Sequence, residues 1–560
     1  MSEKIVIYQV LPRLFGNKKH KNKENGTIEE NGCGKFNAFS DKALEEIKKF
    51  GYTHIWYTGV LEHATKTDYS QYGIKRNHPA VVKGRAGSPY AVKDYYDVSP
   101  DLAVNVTKRM GEFEDLLDRT HNAGLKVIMD FVPNHVAREY YSDSREKMID
   151  DLGASDNPNM PFLPHNNFYY IKNESFAPSF DLCDGEPEPY FEMPAKATGN
   201  DCFHAHPSRN DWYETIKLNY GVNYFTGERC FDPTPDTWMK MCDILLYWAA
   251  KGVDGFRCDM AEMVPVEFWH WAIAKVKEAF PDIIFIAEIY NPGIYRNFLS
   301  YGNFDYLYDK VGLYDTLRAA VRCETPTSNI TYCWQQLEGI QEKMLNFLEN
   351  HDEQRIASDF FAQNAMAGIP AAIVSATMNT NPFMIYFGQE LGEPGMEKEG
   401  FSGLDGRTTI FDYWNLDCIT RWINNGNFNE KMLTDSEKEI RRFYATLVPL
   451  LNGEKAIREG SFYDLMWLNY ENPEFDSTRQ YAFLRACGRE VIMVVANFDT
   501  QDTVITVNIT DEVFDFLHIE SEQKHRTVNL LNKQDREEYF SKNIKVSIAA
   551  QSGKILKYKF

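Results

Sequence analysis

LKVIMDF (residues 125–131) is a short apolar run, rich in β-branched and aromatic side chains, with an acid near its end. IVIYQV (5–10) and YTHIWY (52–57) precede it, and a longer helical pattern follows each of the three. Strands alternating with helices predict a parallel sheet, since parallel neighbours are joined only through a crossover. The pattern resumes in GVDGFRCDM (252–260), IIFIAEIY (283–290), FDYLYD (304–309), MLNFLEN (344–350) and PFMIYFG (382–388). Eight such strands over about 390 residues fit a (β/α)8 TIM barrel with insertions, the bare barrel needing roughly 250. The fold class is therefore α/β, with the barrel in residues 1–135 and 241–455.

Most of the surplus length lies after the third strand. Residues 136–240 are rich in Asn, Pro, Asp and aromatics (DNPNMPFLPHNN, FAPSFDLCDGEPEPYFEMP) and read as a small inserted domain. After an amphipathic helical stretch near 434–452, alternating runs (FYDLMWLNY, QYAFLRAC, EVIMVVANF, TVITVNI, ILKYKF) predict a C-terminal all-β sandwich over 456–560. The chain shows no fixed-period repeat and no low-complexity tract.

Composition narrows the partners. At 560 residues and 43% apolar side chains, the chain can bury several cores. A formal charge of −21 sets up a field that repels phosphate backbones and anionic headgroups, so neither nucleic acid nor a membrane surface is expected. No run approaches eighteen consecutive apolar residues. The opening MSEKIVIYQVLPRLF lacks the basic start and long apolar run of a secretory signal, which points to the cytoplasm. Ten scattered cysteines form no CxxC pair and read as reduced, structural thiols.

In a parallel barrel the functional groups stand at the C-terminal ends of the strands. Four acids close apolar runs: Asp130 in VIMDFVPNH, Asp259 in GFRCDM, Glu288 in FIAEIY and Asp352 in FLENHD. A buried carboxylate needs compensating donors, and Arg257, two residues before Asp259 on the same strand face, is placed to keep it ionised. Two carboxyls in different environments suit glycoside hydrolysis, one attacking the anomeric carbon and one protonating the leaving oxygen.

The segments DFVPNH, GFRCDMAE, AEIY and ENHD resemble, in order, the four signature motifs of the α-amylase superfamily, glycoside hydrolase family 13. The resemblance implies Asp259 as nucleophile, Glu288 as general acid/base and Asp352 as the third carboxylate, holding hydroxyls of the distorted sugar. It implies that Arg257 positions Asp259, that His135 and His351 hydrogen-bond the sugar, and that Asp130 supports that wall from below. Tyr90, in SPYAVKDYYDVSP, matches the tyrosine that stacks under the reacting sugar, and Arg355 the arginine that steadies the last motif's loop. The implied reaction is a retaining double displacement on α-linked glucooligosaccharides or α-glucans, with the two carboxyls about 5–5.5 Å apart. No organic cofactor is implied, and a glycine-rich phosphate cradle is absent.

Four positions depart from the family pattern. Glu262 and Met263 replace the lysine-histidine pair after the nucleophile, Met260 matches neither common linkage type, and Lys217 in DWYETIKLNYG replaces an acidic residue. Asn134 matches the family's calcium-ligating asparagine, so calcium at that position is an expectation of the resemblance.

Each assignment has a plainer reading. A lone strand-end carboxylate is more often a structural ion-pair member, and a lone histidine or tyrosine more often core; it is the joint motif order that sets these apart. His204 and His206 form an HxH pair without a third ligand at a zinc spacing and read as loop residues. Two other functions fit the same motifs: a transglycosylase, glucanotransferase or sugar phosphorylase, and a non-catalytic carbohydrate-binding or transporter accessory protein.

Overall fold

Eight parallel strands form the centre of the structure, a computed structural model that describes residues 3–559 apart from 147, 184–187, 399, 402 and 520–522. They are β1 (Val6–Val10), β2 (His54–Tyr57), β3 (Lys126–Phe131), β4 (Gly255–Cys258), β5 (Ile284–Ala287), β6 (Tyr306–Tyr308), β7 (Met344–Leu345) and β8 (Phe383–Tyr386). Each lies in one of the eight predicted runs. Neighbours pair in chain order from β1 to β7, β8 pairs with β1, and a parallel bridge between Asn346 and Phe383 closes the ring. The strands are buried along nearly their whole length because helices cover their outer faces and side chains fill the interior.

The helices follow from local chemistry. In Asp41–Phe50 the Ser40 hydroxyl caps the Ala43 N–H, and buried Ala43, Leu44, Ile47 and Phe50 recur at helical spacing. The predicted stretch near 434–452 is the helix Asp435–Gly453, opened by a Thr434–Glu437 capping box. Among the described residues no helix is long and apolar enough to cross a membrane.

Between β3 and the helix Asp236–Ala250 the chain leaves the barrel and forms two short antiparallel pairs, His135–Ala137 with Thr215–Lys217 and Tyr170–Ile171 with Ala195–Lys196. The first pair hangs directly from the end of β3. It therefore carries His135 over the barrel mouth.

The C-terminal region has a six-stranded sheet, Ser461–Asp464, Gln480–Cys487, Glu490–Asn497, Ser552–Lys559, Gln523–Asn529 and Gln534–Phe540 in spatial order, with antiparallel neighbours. A separate antiparallel pair, Thr503–Asn508 with Asn543–Ile548, accompanies it. The short helix Asp511–Leu517 and the hairpin 523–540 are additions to the strands expected from alternation. The region docks on the barrel helix Ile369–Thr377, every residue of which is buried. Gly553 permits the approach, since a Cβ there would sit 2.8 Å from Ile373 Cδ1. Arg485, 1% exposed, donates to the carbonyls of Met378, Ala456, Ile457 and Gly460 and ties the two regions together.

Candidate active site

The strand register places the charged residues. Arg257 on β4 is the register partner of Asp130 on β3 and of Ile286 on β5, so Arg257 and Asp130 share the barrel interior. Asp259 lies two residues beyond Arg257, on the same face, and Glu288 is the first residue past β5. The ladder continues beyond the strands, with Asp259 N–H donating to Phe131 O (2.9 Å) and Glu288 N–H to Cys258 O (3.1 Å), which fixes both backbones.

One guanidinium serves the carboxylates. Arg257 NH1 donates to Asp259 Oδ1 at 2.8 Å and lies 3.4 Å from Asp130 Oδ1, while NH2 ion-pairs with Glu288 Oε2 at 2.8 Å. Its Nε reaches Tyr308 OH at 3.1 Å, and the group lies over the rings of Trp56, Tyr90 and Tyr308. Asp259 Oδ2 has no hydrogen-bond partner. Burial pushes the Asp259 carboxyl well above the usual aspartate range; Arg257 opposes this, and Glu288, Asp352 and Asp130 reinforce it. The arginine expected to hold Asp259 ionised is thus shared, and its effect is diluted.

Glu288 is held at both oxygens. Tyr290 OH donates to Oε1 at 2.6 Å, and the Met260 N–H donates to Oε2 at 2.8 Å. Met260 can aim its N–H this way because its φ is +43°, a left-handed conformation costly for a long side chain. Glu262 accepts from the N–H groups of Tyr290 and Asn291 at 3.3 and 3.2 Å, so this departure from the family pattern fixes the loop carrying Tyr290.

Asp352 forms the third corner. Burial alone would raise its carboxyl, but His351, Arg257 and Arg407 bring it below the ordinary value, with His351 Nε2 3.0 Å from Oδ2. His351 Nδ1 meets Gln9 Nε2 on β1 at 2.8 Å, and its Nε2 meets Tyr90 OH at 2.5 Å. Asp130 Oδ2 accepts from Trp56 Nε1 and the Gly59 N–H, and Oδ1 from Tyr90 OH. Arg407 Nε donates to the Asp352 carbonyl at 2.6 Å, and Arg355 joins the same loops through Glu349, Thr408 and the Phe387 carbonyl.

Tyr90, His135, Asp259, Met260, Glu288, Tyr290 and Asp352 line a cavity of about 250 Å³ at the barrel mouth. His135 packs on Trp212 with ring centroids 5.2 Å apart, and burial pushes its imidazole down to about 3, keeping it neutral. Arg257 and Asp130, expected to position Asp259 and to support the wall from below, lie beneath this cavity together with His351, expected to hydrogen-bond the sugar; they are 0%, 5% and 1% exposed. Their polar atoms hold Asp259, Asp352 and Tyr90.

Asn134, the expected calcium ligand, is engaged otherwise. The Lys217 ammonium donates a short hydrogen bond to Asn134 Oδ1, ion-pairs with Asp201 Oδ1 at 2.7 Å and lies 3.4 Å from the Met263 carbonyl. A carboxylate, an amide oxygen and a backbone carbonyl are the donors a calcium ion would use, and an ammonium already sits among them. The residues present do not fit the metal. His204 and His206 belong to no metal-type cluster among the described residues; the group of ligand-type side chains found there is Glu62, Asp94 and Asp97, of which Glu62 is already ion-paired with Lys93 and Asp97 with Arg109.

The family model described as the α-amylase catalytic domain matches residues 9–508. The chain belongs to the α-amylase family of glycoside hydrolases. Members similar to it include the α-amylase MalA of Haloarcula japonica, 22% identical over 90% of this chain, which spans 57% of that relative's length. A cyclomaltodextrinase of Thermoanaerobacter pseudethanolicus is 22% identical over 96% of the chain and 77% of its own length. The solved α-amylase of Geobacillus thermoleovorans shares the fold, with a TM-score of 0.64 at 16% identity, covering 100% of this chain and 98% of its own. In this α-amylase-family chain, sequence reasoning had not singled out Gln9, Tyr290 and Arg407. Tyr290 closes the AEIY motif with no role attached to it, Gln9 and Arg407 belong to no quoted motif, and nothing local in the sequence signals that Gln9 faces His351 across the barrel.

Proposed function

We propose that this protein hydrolyses α-linked glucooligosaccharides or α-glucans with retention of configuration. The observation that carries the reading is Arg257 holding Asp259 and Glu288 on adjacent nitrogens of one fork while Asp259 Oδ2 is left without a partner. Two carboxyls drawn to a single guanidinium suit a retaining pair, for which a spacing of roughly 5–5.5 Å is expected.

Asp259 Oδ2 attacks the anomeric carbon while Glu288 delivers its proton to the glycosidic oxygen, and the leaving chain departs. A β-linked glycosyl-Asp259 ester results. Glu288 then takes a proton from water, which attacks the same carbon and releases the α-anomer. Asp352, ionised, accepts hydrogen bonds from hydroxyls of the distorted ring, and Tyr90 offers its ring to the apolar face of the sugar.

The test is incubation with maltooligosaccharides, branched glucans, sucrose and trehalose, with and without phosphate. Shorter reducing sugars from the maltooligosaccharides are expected. Longer products, or phosphate dependence, would instead support transfer or phosphorolysis, and binding without turnover a carbohydrate-binding role.

Catalysis in this reading needs no calcium, since Lys217 supplies the cation between Asn134, Asp201 and Met263. Excess chelator is expected to leave Tm unchanged, whereas Lys217→Ala, which leaves the buried Asn134 Oδ1 without its donor, lowers stability by about 1–3 kcal/mol. A fall in Tm on chelation of the wild type would contradict this. The ten unpaired cysteines fit a reducing compartment and support a cytoplasmic location.

A further inference from the structure

The cavity has two unlike ends. Glu288, Tyr290 and Met260 follow β5 and β4, so the leaving group departs on that side of the ring. β8 and β1 stand across the ring from β4 and β5, and there the loops after β2 and β8 are joined. The N–H groups of Ala86 and Gly87 both donate to the Phe411 carbonyl at 2.9 and 3.2 Å, and the Arg85 N–H donates to Asp412 Oδ1 at 2.7 Å. Arg13 NH1 donates to the carbonyls of Ile410 (2.7 Å) and Gly87 (3.2 Å). Gly84, at φ +61°, runs so close that an added Cβ would collide with the Phe411 carbonyl.

A third segment completes the closure. Lys83, from the β2 loop, ion-pairs at 3.1 Å with Glu214 of the insertion, and its ammonium lies 5.7 Å from the Phe411 ring and 5.9 Å from that of Tyr213. Lys83, Glu214 and Phe411 all line the catalytic cavity. Glu214 is 5% exposed in its side chain and its Oε2 has no hydrogen-bond partner, so this pair is not a solvated surface bridge. At about 250 Å³ the cavity is smaller than the roughly 300–1,000 Å³ typical of ligand pockets. The loops after β2 and β8 and the insertion thus meet in one wall of the cavity.

We propose that the Lys83–Glu214 pair, braced by Phe411, ends the cleft on the side opposite the leaving group, so that the enzyme takes linear α-glucans by their non-reducing ends and trims short units from them. Both groups are specificity-determining, and the inference rests on the hydrolytic reading above. A charged pair suits this end, because Lys83 can donate to, and Glu214 accept from, the terminal hydroxyls that only a chain end presents there.

The experiment uses 4-nitrophenyl maltoheptaoside with its non-reducing end free or blocked by a 4,6-O-ethylidene group, products being resolved by chromatography. Wild type is expected to cleave the free substrate at least about a hundredfold faster than the blocked one, and Lys83→Ala with Glu214→Gln to raise the relative rate on the blocked one about tenfold. Lys83→Met, which keeps the stem over Phe411, serves as a second variant, and Tm reports whether each has folded. Equal cleavage of both substrates by wild type overturns the inference, as does discrimination unchanged in every folded variant. Cleavage of neither overturns the hydrolytic reading itself, and the inference with it.

Discussion

Asp259→Asn is expected to lower kcat by at least about 10⁴-fold, the scale seen when a nucleophile is removed, while Tm stays at or above the wild-type value. The two halves of this prediction have one cause. Asp259 sits among Asp130, Glu288 and Asp352 with Arg257 shared between them, and its carboxyl is pushed up by burial and by those neighbours. For a raised carboxyl the linkage sign is that its contribution to stability is full below the unfolded pKa and is lost as pH rises through the folded one. Above the unfolded pKa the group therefore costs stability, and a neutral amide of the same shape removes that cost. In the wild type, kcat/KM should fall as pH drops through the Asp259 ionisation, above the ordinary aspartate range. A variant with wild-type turnover would remove Asp259 from the mechanism, and one that is inactive because it is unfolded would contradict the charge argument.

Arg257→Leu should do the reverse, damaging fold and function together. Its guanidinium is the cation facing Asp130, Asp259 and Glu288, and it lies against three aromatic rings. Removing one partner of a buried ion pair typically costs about 3–5 kcal/mol, because the other is left uncompensated. Denaturant unfolding should register a loss of that size. The Asp259 and Asp130 carboxyls, freed from the group that pulls them down, move higher, so residual activity shifts to higher pH. Arg257→Lys should recover little, since a single ammonium cannot offer separate nitrogens to Asp259 and Glu288. Wild-type stability in Arg257→Leu would show that the cluster is compensated from elsewhere.

The barrel was legible because parallel strands buried on both faces leave apolar runs such as VIYQV and FMIY that polar loops cannot imitate. The hairpin Gln523–Asn529 with Gln534–Phe540 was not, for QKHRTVN and QDREEYF carry too few apolar residues to read as strands. The helix Asp511–Leu517 is short, and its DEVFDFL falls between strands where alternation was the expected period. At the site, spacing along the chain named the residues at strand ends but could not say which would face the cavity. His351 and Arg257 turned out to lie under it because Gln9, Tyr90 and Tyr308, from other strands and loops, take up their polar atoms. Lys217 was visible only as a missing acid. Its partners Asn134 and Asp201 lie 83 and 16 residues away, so the fold alone brings the ammonium to the place where a metal was expected.

The central claim is that Asp259 becomes covalently linked to the glucosyl unit. Rapid denaturation of the protein during turnover of 5-fluoro-α-D-glucosyl fluoride, followed by digestion and mass spectrometry, tests it directly. The account predicts one fluoroglucosyl adduct, on the peptide containing Asp259; an adduct on Glu288 or Asp352, or steady turnover with no adduct and a first-formed β-anomer, would contradict it.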